Sequence, residues 1–166
     1  PMFEESITEL TLNRTDQGWR IADSVKSKVP DQLEADYHAM TIALRDYCAK
    51  SGFSKVLLGL SGGVDSALVA TIAADALGAE NVRCIMLPSE YTSDESLSDA
   101  KDMAENLGCR YDYLPIAEGR TAITNTLAPL FEGTNPDLTE ENIQSRLRGL
   151  LLMAVSNKFG EMLLTT

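Results

Sequence analysis

From residue 31 onward, short continuous apolar runs alternate with stretches in which apolar residues recur at helical spacing. Uninterrupted runs such as Val-Leu-Leu-Gly-Leu at 56–60 are typical of parallel strands that are buried on both faces. Four strands are predicted, at 56–60, 82–87, 110–114 and 162–165. Because helical patterns with short connections separate them, the chain predicts βαβ units. The expected fold class is α/β, an open parallel sheet with helices on both faces.

Helical spacing and capping residues predict five helices. They cover residues 31–50, 65–77, 92–107, 123–131 and 139–159. Asp31 with Glu34, and Thr92 with Glu95, have the spacing of capping boxes, and Thr139 is the expected cap of the last helix. The expected apolar stripes are Leu33, Tyr37, Met40, Leu44 and Tyr47 in the first helix, Leu68, Val69, Ile72, Ala73 and Leu77 in the second, and Ile143, Leu147, Leu150, Leu151, Ala154 and Phe159 in the last.

Residues 1–30 mix apolar and polar residues without a sustained period. We interpret them as a linker or arm that precedes a domain formed by residues 31–166. At 166 residues and 44% hydrophobic content, the chain is long enough for one domain with a sizeable core.

A Ser-Gly-Gly-Val-Asp-Ser loop, residues 61–66, joins the first predicted strand of the sheet to the helix that follows. A helix that starts directly after a strand leaves backbone N–H groups without partners, at the helix end with positive partial charge, where phosphate binds. Gly62 and Gly63 let a ligand approach the backbone, and Ser61 and Ser66 add hydroxyl donors. We therefore predict a phosphate site of neither the Walker A nor the Gly-x-Gly-x-x-Gly type.

Asp65 is the unexpected member of a phosphate-binding loop, because its carboxylate repels phosphate unless a cation lies between them. We predict that Asp65 holds Mg²⁺ shared with phosphate oxygens. The alternative is an ordinary acidic residue in the first turn of a helix, favoured there by the helix dipole.

Ligands of open α/β sheets bind beyond the carboxyl ends of the strands, which places the loops after Leu60, Leu87 and Leu114 on the ligand side. Leu87 is predicted to form an apolar wall for a nucleotide base that hydrogen-bonds to the strand backbone. A plain strand end is the alternative.

Charge and cysteine content exclude several classes of function. With 14 basic and 25 acidic residues the net charge is −11, which argues against a nucleic-acid surface. Cys48, Cys84 and Cys109 have no Cys-x-x-Cys spacing, so buried free thiols in a reducing cytoplasm are expected. The sequence has no signal peptide and no apolar run of about 18 residues, which predicts a cytoplasmic protein that does not enter a membrane.

The loop resembles the signature of the ATP pyrophosphatase superfamily, which has an adenine-nucleotide alpha-hydrolase-like fold and cleaves ATP between its α- and β-phosphates. Further along, Glu-Asn-Ile-Gln-Ser-Arg-Leu-Arg-Gly at 141–149 precedes Asn-Lys-Phe-Gly at 157–160 and a strand ending in Leu-Thr-Thr. Together these motifs resemble the NAD⁺ synthetase family, in particular the synthetase domain of bacterial glutamine-dependent enzymes. The resemblance covers about residues 31–166.

The resemblance implies both a reaction and its residues. ATP adenylates the carboxylate of deamido-NAD⁺, and ammonia then displaces AMP to give NAD⁺. Asn142 and Arg146 are expected to contact deamido-NAD⁺. The alternative for Arg146 is a salt bridge to Glu140, to Glu141 or to a neighbouring helix. Arg148 is predicted to be a solvated or interface charge. The expected ATP contacts are Gly59, Leu60, Ser61, Gly62, Gly63, Val64, Asp65, Ser66 and Thr166, with Mg²⁺ on Asp65.

The resemblance also implies partners. A glutaminase domain in the full-length chain supplies ammonia from glutamine, and the protein forms a homodimer or a higher homo-oligomer. Family members continue past this last strand into a Gly-Asn-Lys-Ser-Glu-like turn with a further metal ligand. The 166 residues are therefore expected to be incomplete at the carboxyl terminus and inactive alone. The alternatives are another amide-forming ATP pyrophosphatase, such as GMP synthetase, and a nucleotide-binding module without chemistry.

Overall fold

Strands and helices alternate along most of the chain in a computed structural model that describes residues 2–22 and 27–166. The strands are β1 (Leu12–Thr15), β2 (Gly18–Ile21), β3 (Val56–Gly59), β4 (Val82–Met86), β5 (Arg110–Tyr113) and β6 (Met162–Leu164). The helices are α1 (Gln32–Ser51), α2 (Val64–Leu77), α3 (Asp94–Leu107), α4 (Ala117–Leu127) and α5 (Leu138–Phe159). A short 3₁₀ turn, Ala79–Asn81, precedes β4.

The predicted parallel sheet is confirmed, with strand order β5-β4-β3-β6. The chain runs outward from β3 through β4 to β5, and then returns to place β6 on the other side of β3. The order in which the chain adds strands therefore reverses between the parallel neighbours β3 and β6. In this class of fold, ligands bind at such a switch point, beyond the carboxyl ends of the strands. The phosphate-loop motif directly follows β3.

Apolar cores lie on both faces of the sheet because successive side chains of a strand point in opposite directions. On one face, Val56 and Leu58 pack with the buried alanines of α2 and α3. On the other face, Leu57 and Ile85 pack with Ile116 and with Leu147 of α5. Helices therefore cover both faces, as predicted.

A buried ion pair joins β4 to the residue that precedes β6. Arg83 and Glu161 are 8% and 6% exposed, and two of their N–O distances are 2.8 Å. The Phe159 ring lies 4.4 Å from the guanidinium carbon of Arg83. A buried charge pair with this many contacts fixes the start of β6 against the sheet.

The first 30 residues contain an element that the sequence analysis does not predict. β1 and β2 form an antiparallel hairpin in which Thr15 lies opposite Gly18. The turn requires a positive φ of 105° at Gly18, which glycine accepts readily. The strands are too short and too exposed to give a recognisable alternation, so the turn glycine was the available signal.

Two predicted apolar stripes are rotated relative to the observed cores. In α1, Leu33 and Tyr47 are 82% and 60% exposed, while Thr41 and Cys48 are buried against the rest of the domain. In α5, the predicted core residues Leu147 and Leu151 do pack on the sheet, but they do so with Leu152 and Val155, whereas Leu150, Ala154 and Phe159 are exposed. Leu68 of α2 is also exposed. Helical spacing identified the helices, but which apolar face is buried depends on tertiary contacts.

Three predicted helix termini differ in detail. Ser93 caps α3 instead of Thr92, whose hydroxyl accepts a hydrogen bond from the Ser89 N–H. Asp137 caps α5 instead of Thr139, in a capping box completed by Glu140. The start of α1 is as predicted, since Asp31 caps it by accepting a hydrogen bond from the Glu34 N–H. The predicted helix at 123–131 begins earlier and ends at Leu127, before Leu130 and Phe131.

Other expectations concern cysteines and membranes. Cys48, Cys84 and Cys109 are free and buried, as predicted. Among the helices of residues 2–22 and 27–166, none is long and apolar enough to cross a bilayer.

Candidate nucleotide-binding site

The loop at 61–66 connects the end of β3 to the start of α2, as the sequence predicts. Gly63 is the N-cap of α2 and has no side chain that could cap the helix. The first backbone hydrogen bond of the helix is donated by the Ala67 N–H to the Gly63 carbonyl. In the described part of the chain, no acceptor faces the N–H groups of Val64 and Asp65. These donors lie at the positive end of a 14-residue helix. The loop has the geometry of an anion site.

The two serines of the loop hold it together, a role that the sequence analysis did not assign to them. The Ser66 hydroxyl donates to the Gly63 carbonyl at 3.0 Å and lies 3.0 Å from the Ser61 hydroxyl. The N–H groups of Ser61 and Gly63 donate to these hydroxyl oxygens, each at 3.2 Å. Ser66 is only 4% exposed. Both hydroxyls therefore brace the loop from inside.

Gly62 is required by its neighbour α3 as well as by its own conformation. Its φ is +82°, where side chains are strained. A Cβ at this position would lie 2.5 Å from the Ser96 carbonyl oxygen and 2.9 Å from the Ser96 Cα. Because both atoms belong to the backbone, they cannot move aside without shifting α3. The glycine thus allows α3 to pack directly against the loop.

Asp65 is exposed in the first turn of α2 and makes no ion pair within the described residues. Its carboxylate lines the same cavity as Ser61, Gly63 and Ser66. No cluster of three or more His, Cys, Asp or Glu side chains suited to a metal occurs in residues 2–22 and 27–166. One carboxylate completed by phosphate oxygens and water is nevertheless a usual Mg²⁺ arrangement, so Asp65 fits that ion.

A cavity of about 360 Å³, here called the loop cavity, opens at the switch point between β3 and β6. The loop, the carboxyl end of β6 and α5 each form one wall of this cavity. Predicted residues that line it are Gly59, Ser61, Gly63, Asp65, Ser66 and Thr166. The fold therefore brings Thr166 to the loop, about 100 residues along the chain from it.

A second cavity of about 370 Å³, the strand cavity, lies beside the first and shares Gly59 and Ser61 with it. Its walls include Leu60 and Leu87, both predicted site residues, at the ends of β3 and β4. A Cβ on Gly59 would lie 3.3 Å from the Leu152 side chain, so the glycine lets α5 approach the strand end. Gly62 and Val64 instead line a separate cavity on the α3 side of the loop.

Asn142 and Arg146 lie together on an exposed face of α5. The Arg146 guanidinium donates to the backbone carbonyl of Asn142 at 3.3 Å, and no carboxylate pairs with it within the described residues. The expected alternative, a salt bridge to Glu140 or Glu141, is therefore absent there. Neither side chain lines the loop cavity or the strand cavity.

Arg148 and Gln144 are the residues that the sequence reasoning missed. Arg148, predicted to be a solvated or interface charge, is half-buried: its Nε donates to the Leu87 carbonyl at 3.0 Å and its side chain lines the strand cavity. Gln144, one turn earlier, is only 8% exposed. Both also line a third cavity of about 740 Å³, the outer cavity, with Arg120, Tyr91 and the first turn of α5. The available signal was their spacing of four residues on one helix face.

Titratable groups near the sheet do not supply a competing nucleophile. Burial raises the pKa of the Cys84 thiol to about 12, with a smaller effect from Cys109. Burial also raises the pKa of Cys109. Both therefore stay neutral thiols at physiological pH, whereas nucleophilic or metal-binding cysteines are thiolates.

An open parallel sheet with a loop of unpaired N–H groups at its switch point defines an α/β nucleotide-binding domain. Residues 36–166 match the sequence model of the family described as NAD synthase. The chain belongs to that family. This match favours the resemblance to NAD⁺ synthetases over the GMP synthetase alternative.

Curated relatives and solved structures agree with this assignment. The chain is 58% identical over 166 residues to the glutamine-dependent NAD(+) synthetase of Rhodobacter capsulatus, covering all of this chain and 30% of the relative. It is 49% identical to that of Thermotoga maritima, covering 87% and 25%. The structure of the glutamine-dependent NAD+ synthetase of Acinetobacter baumannii, in complex with ADP, superposes with a TM-score of 0.87 at 41% identity, covering 95% of this chain and 29% of that one.

The chain matches only part of the length of its relatives. The chain spans about 30% of the curated relatives that it matches over its full length. The structure of an NH3-dependent NAD synthetase from Campylobacter jejuni, in complex with the nitrate ion, matches with a TM-score of 0.71 at 26% identity, covering 81% of this chain and 56% of that one.

Proposed function

We propose that these residues form the ATP-binding part of an enzyme that converts deamido-NAD⁺ to NAD⁺, with AMP and pyrophosphate as the other products. The observation that supports this proposal is the loop cavity. The phosphate-binding loop, the carboxylate of Asp65 and Thr166, just beyond the end of β6, line this one cavity at the switch point of the sheet.

The reaction proceeds in two balanced steps. An oxygen of the nicotinate carboxylate attacks the α-phosphorus of ATP, the bond between the α-phosphorus and its bridging oxygen breaks, and pyrophosphate leaves. Ammonia then attacks the acyl carbon of the adenylate, AMP leaves with the carboxylate oxygen, and the loss of a proton gives the amide.

The loop stabilises the leaving pyrophosphate. The N–H groups of Val64 and Asp65 and the dipole of α2 face the charge that develops on it, and the hydroxyl network of Ser61 and Ser66 keeps these donors in place beforehand. Asp65 holds Mg²⁺, which when bound neutralises phosphate oxygens. Leu60 and Leu87 form apolar walls of the strand cavity for the base.

Asn142 and Arg146 form the proposed contact surface for deamido-NAD⁺. They point away from the strand cavity, which suits a substrate held between this face and a second copy of the chain in a homodimer or larger homo-oligomer. Asn142→Ala is expected to lower the affinity for deamido-NAD⁺ by up to about tenfold and to leave the affinity for ATP unchanged. Equal affinity of the wild type and the variant for deamido-NAD⁺ would remove this face from the site.

Ammonia is proposed to come from glutamine, by way of a glutaminase domain in the full-length protein. Purified full-length protein is incubated with ATP, Mg²⁺, deamido-NAD⁺ and either ammonium or glutamine, and the products are identified by mass spectrometry. NAD⁺ and AMP should form in equal amounts with ammonium, and also with glutamine where the glutaminase domain is present. ADP formation, or ATP turnover without NAD⁺, would contradict the proposal.

A further inference from the structure

α5 carries two polar faces, of which the family resemblance assigns one. Asn142 and Gln144 are separated by about 200° around the helix axis at 3.6 residues per turn, and so are Arg146 and Arg148. Asn142 and Arg146 are exposed, whereas Gln144 and Arg148 face the strand cavity and the outer cavity. The second polar face thus lines the cavities that adjoin the phosphate-binding loop.

Arg148 has unused hydrogen-bonding capacity in this position. Its Nε donates to the Leu87 carbonyl, which fixes the guanidinium plane at the end of β4. Within the described residues its two terminal amino groups have no hydrogen-bond acceptor, and no carboxylate lies within 4.0 Å of them. An anchored guanidinium with a free outer edge is suited to bidentate binding of phosphate or carboxylate oxygens.

The outer cavity also has three carboxylates, those of Asp137, Glu140 and Glu141, and none of them lies within 4.0 Å of the Arg148 guanidinium nitrogens; the first two cap the start of α5. Asp137 accepts a hydrogen bond from the Thr139 N–H at 2.7 Å, and Glu140 accepts one from the Asp137 N–H at 2.8 Å. In the same cavity, Arg120 is paired with Glu90 through one terminal amino group. The positive charge of Arg148 is therefore left for a ligand.

Gln144 gives an independent indication of a ligand. Its side chain is more than nine-tenths buried, lines the outer cavity, and makes no hydrogen bond to another described residue. The amide atoms of Gln144 are not closed off by the protein and open into the outer cavity, so they can hydrogen-bond to a group that enters it. One turn separates Gln144 from Arg148, so both can contact one ligand group.

We infer that Arg148 and Gln144 form a further substrate-binding pair, in which Arg148 binds an anionic oxygen group of a substrate and Gln144 hydrogen-bonds to the adjoining polar group. The inference rests on the proposed function for the identity of that substrate. The anionic group belongs either to the phosphates of ATP or to deamido-NAD⁺. Both sources present the same oxygen chemistry at the border of the strand and outer cavities.

The test measures the affinity of the full-length protein for a non-hydrolysable ATP analogue and for deamido-NAD⁺, by calorimetry at two salt concentrations. Arg148→Gln removes the charge, Arg148→Lys keeps it, and Gln144→Leu removes the amide. The matched control is Arg45→Gln, because the Arg45 Nε also donates to a backbone carbonyl, that of Ala76, at 3.0 Å, but on the α1–α2 side away from these cavities.

Arg148→Gln should lower the affinity for at least one of the two ligands by about 10- to 100-fold, as expected for hydrogen bonds to a charged group. It should also reduce the salt dependence of that affinity. Arg148→Lys should retain part of the affinity. Gln144→Leu should weaken the same ligand by up to about tenfold. The ligand that loses affinity identifies the source of the anionic group.

Arg45→Gln should lower the melting temperature about as much as Arg148→Gln and leave both affinities unchanged. If Arg148→Gln binds both ligands within about twofold of Arg45→Gln, or weakens both with an unchanged salt dependence, Arg148 only supports the fold and the inference is wrong. The ATP arm requires no NAD⁺ formation. A failure of the proposed reaction therefore remains distinguishable from a failure of this pair.

Discussion

Replacing Gly62 by alanine should damage the phosphate-binding loop through one atom. At a φ of +82° an alanine costs about 1–2 kcal/mol. The added Cβ would also lie 2.5 Å from the Ser96 carbonyl oxygen, so α3 or the loop must move, at a further cost of about 1–3 kcal/mol. Gly62→Ala should therefore lower the free energy of unfolding by about 2–5 kcal/mol in urea denaturation. A displaced loop should also bind the ATP analogue more weakly.

Gly52 supplies the matched control for the conformational part of this cost. Its φ is +77°, almost the same as that of Gly62, but an added Cβ would meet no atom within 4 Å. Gly52→Ala should thus cost only about 1–2 kcal/mol and leave ATP binding unchanged. If Gly62→Ala is no more destabilising than Gly52→Ala and binds the analogue normally, the close contact between the loop and α3 is not a real constraint.

Three further variants test separate parts of the account. Asp65→Asn keeps the size of the side chain but removes the anionic metal ligand. Mg²⁺-dependent ATP turnover of the full-length protein should therefore be lost, while the circular dichroism spectrum stays unchanged. Turnover near the wild-type rate would show that Asp65 is only a charge at the helix terminus. Glu161→Gln removes the nearer carboxylate of the buried Arg83 guanidinium, at 2.8 Å, and leaves the contact with Asp112 at 3.5 Å. The variant should destabilise the fold by about 1.5–3 kcal/mol in urea denaturation, as expected for hydrogen bonds to a charged group, whereas a loss below about 1 kcal/mol would mean that the pair does not fix β6. Burial and the hydrogen bond from its hydroxyl to Asp75 raise the pKa of Tyr37 to about 12 from 10.0. The protonated phenol therefore stabilises the fold fully below pH 10, and this stabilisation is lost as the pH rises through about 12. Tyr37→Phe should lower the free energy of unfolding by about 1 kcal/mol at pH 7, and the difference between the variant and the wild type should shrink between pH 10 and 12. A pH-independent difference would show that the phenol proton is not involved.

The sheet could be predicted from the sequence because its strands are buried on both faces. Continuous apolar runs such as that of β3 have few alternatives in a chain of this length. The loop was equally clear, since Ser-Gly-Gly-Val-Asp-Ser combines glycines with a strand before and a helix after it. The position of Thr166 beside this loop followed from family resemblance, and the order of β3 and β6 now gives its physical basis.

The side chains that α1 and α5 bury could not be predicted, because both helices carry apolar residues on more than one face. Leu33 and Leu150 have the spacing of core residues and are nevertheless exposed. Arg148 was predicted to be a solvated or interface charge, because an arginine near the middle of a helix is usually solvated. Its role depends on the Leu87 carbonyl, 61 residues away in the chain, and a contact of that range leaves no local pattern.

Transfer of an oxygen label tests the central claim most directly. Full-length protein is given ATP, Mg²⁺, ammonium and deamido-NAD⁺ in which the nicotinate carboxylate carries ¹⁸O in both oxygens, and the products are separated by mass spectrometry. If the carboxylate attacks the α-phosphorus of an ATP held by the loop at 61–66, each AMP should carry one ¹⁸O and each NAD⁺ should keep the other in its amide. Unlabelled AMP, or label in inorganic phosphate released with ADP, would contradict the account.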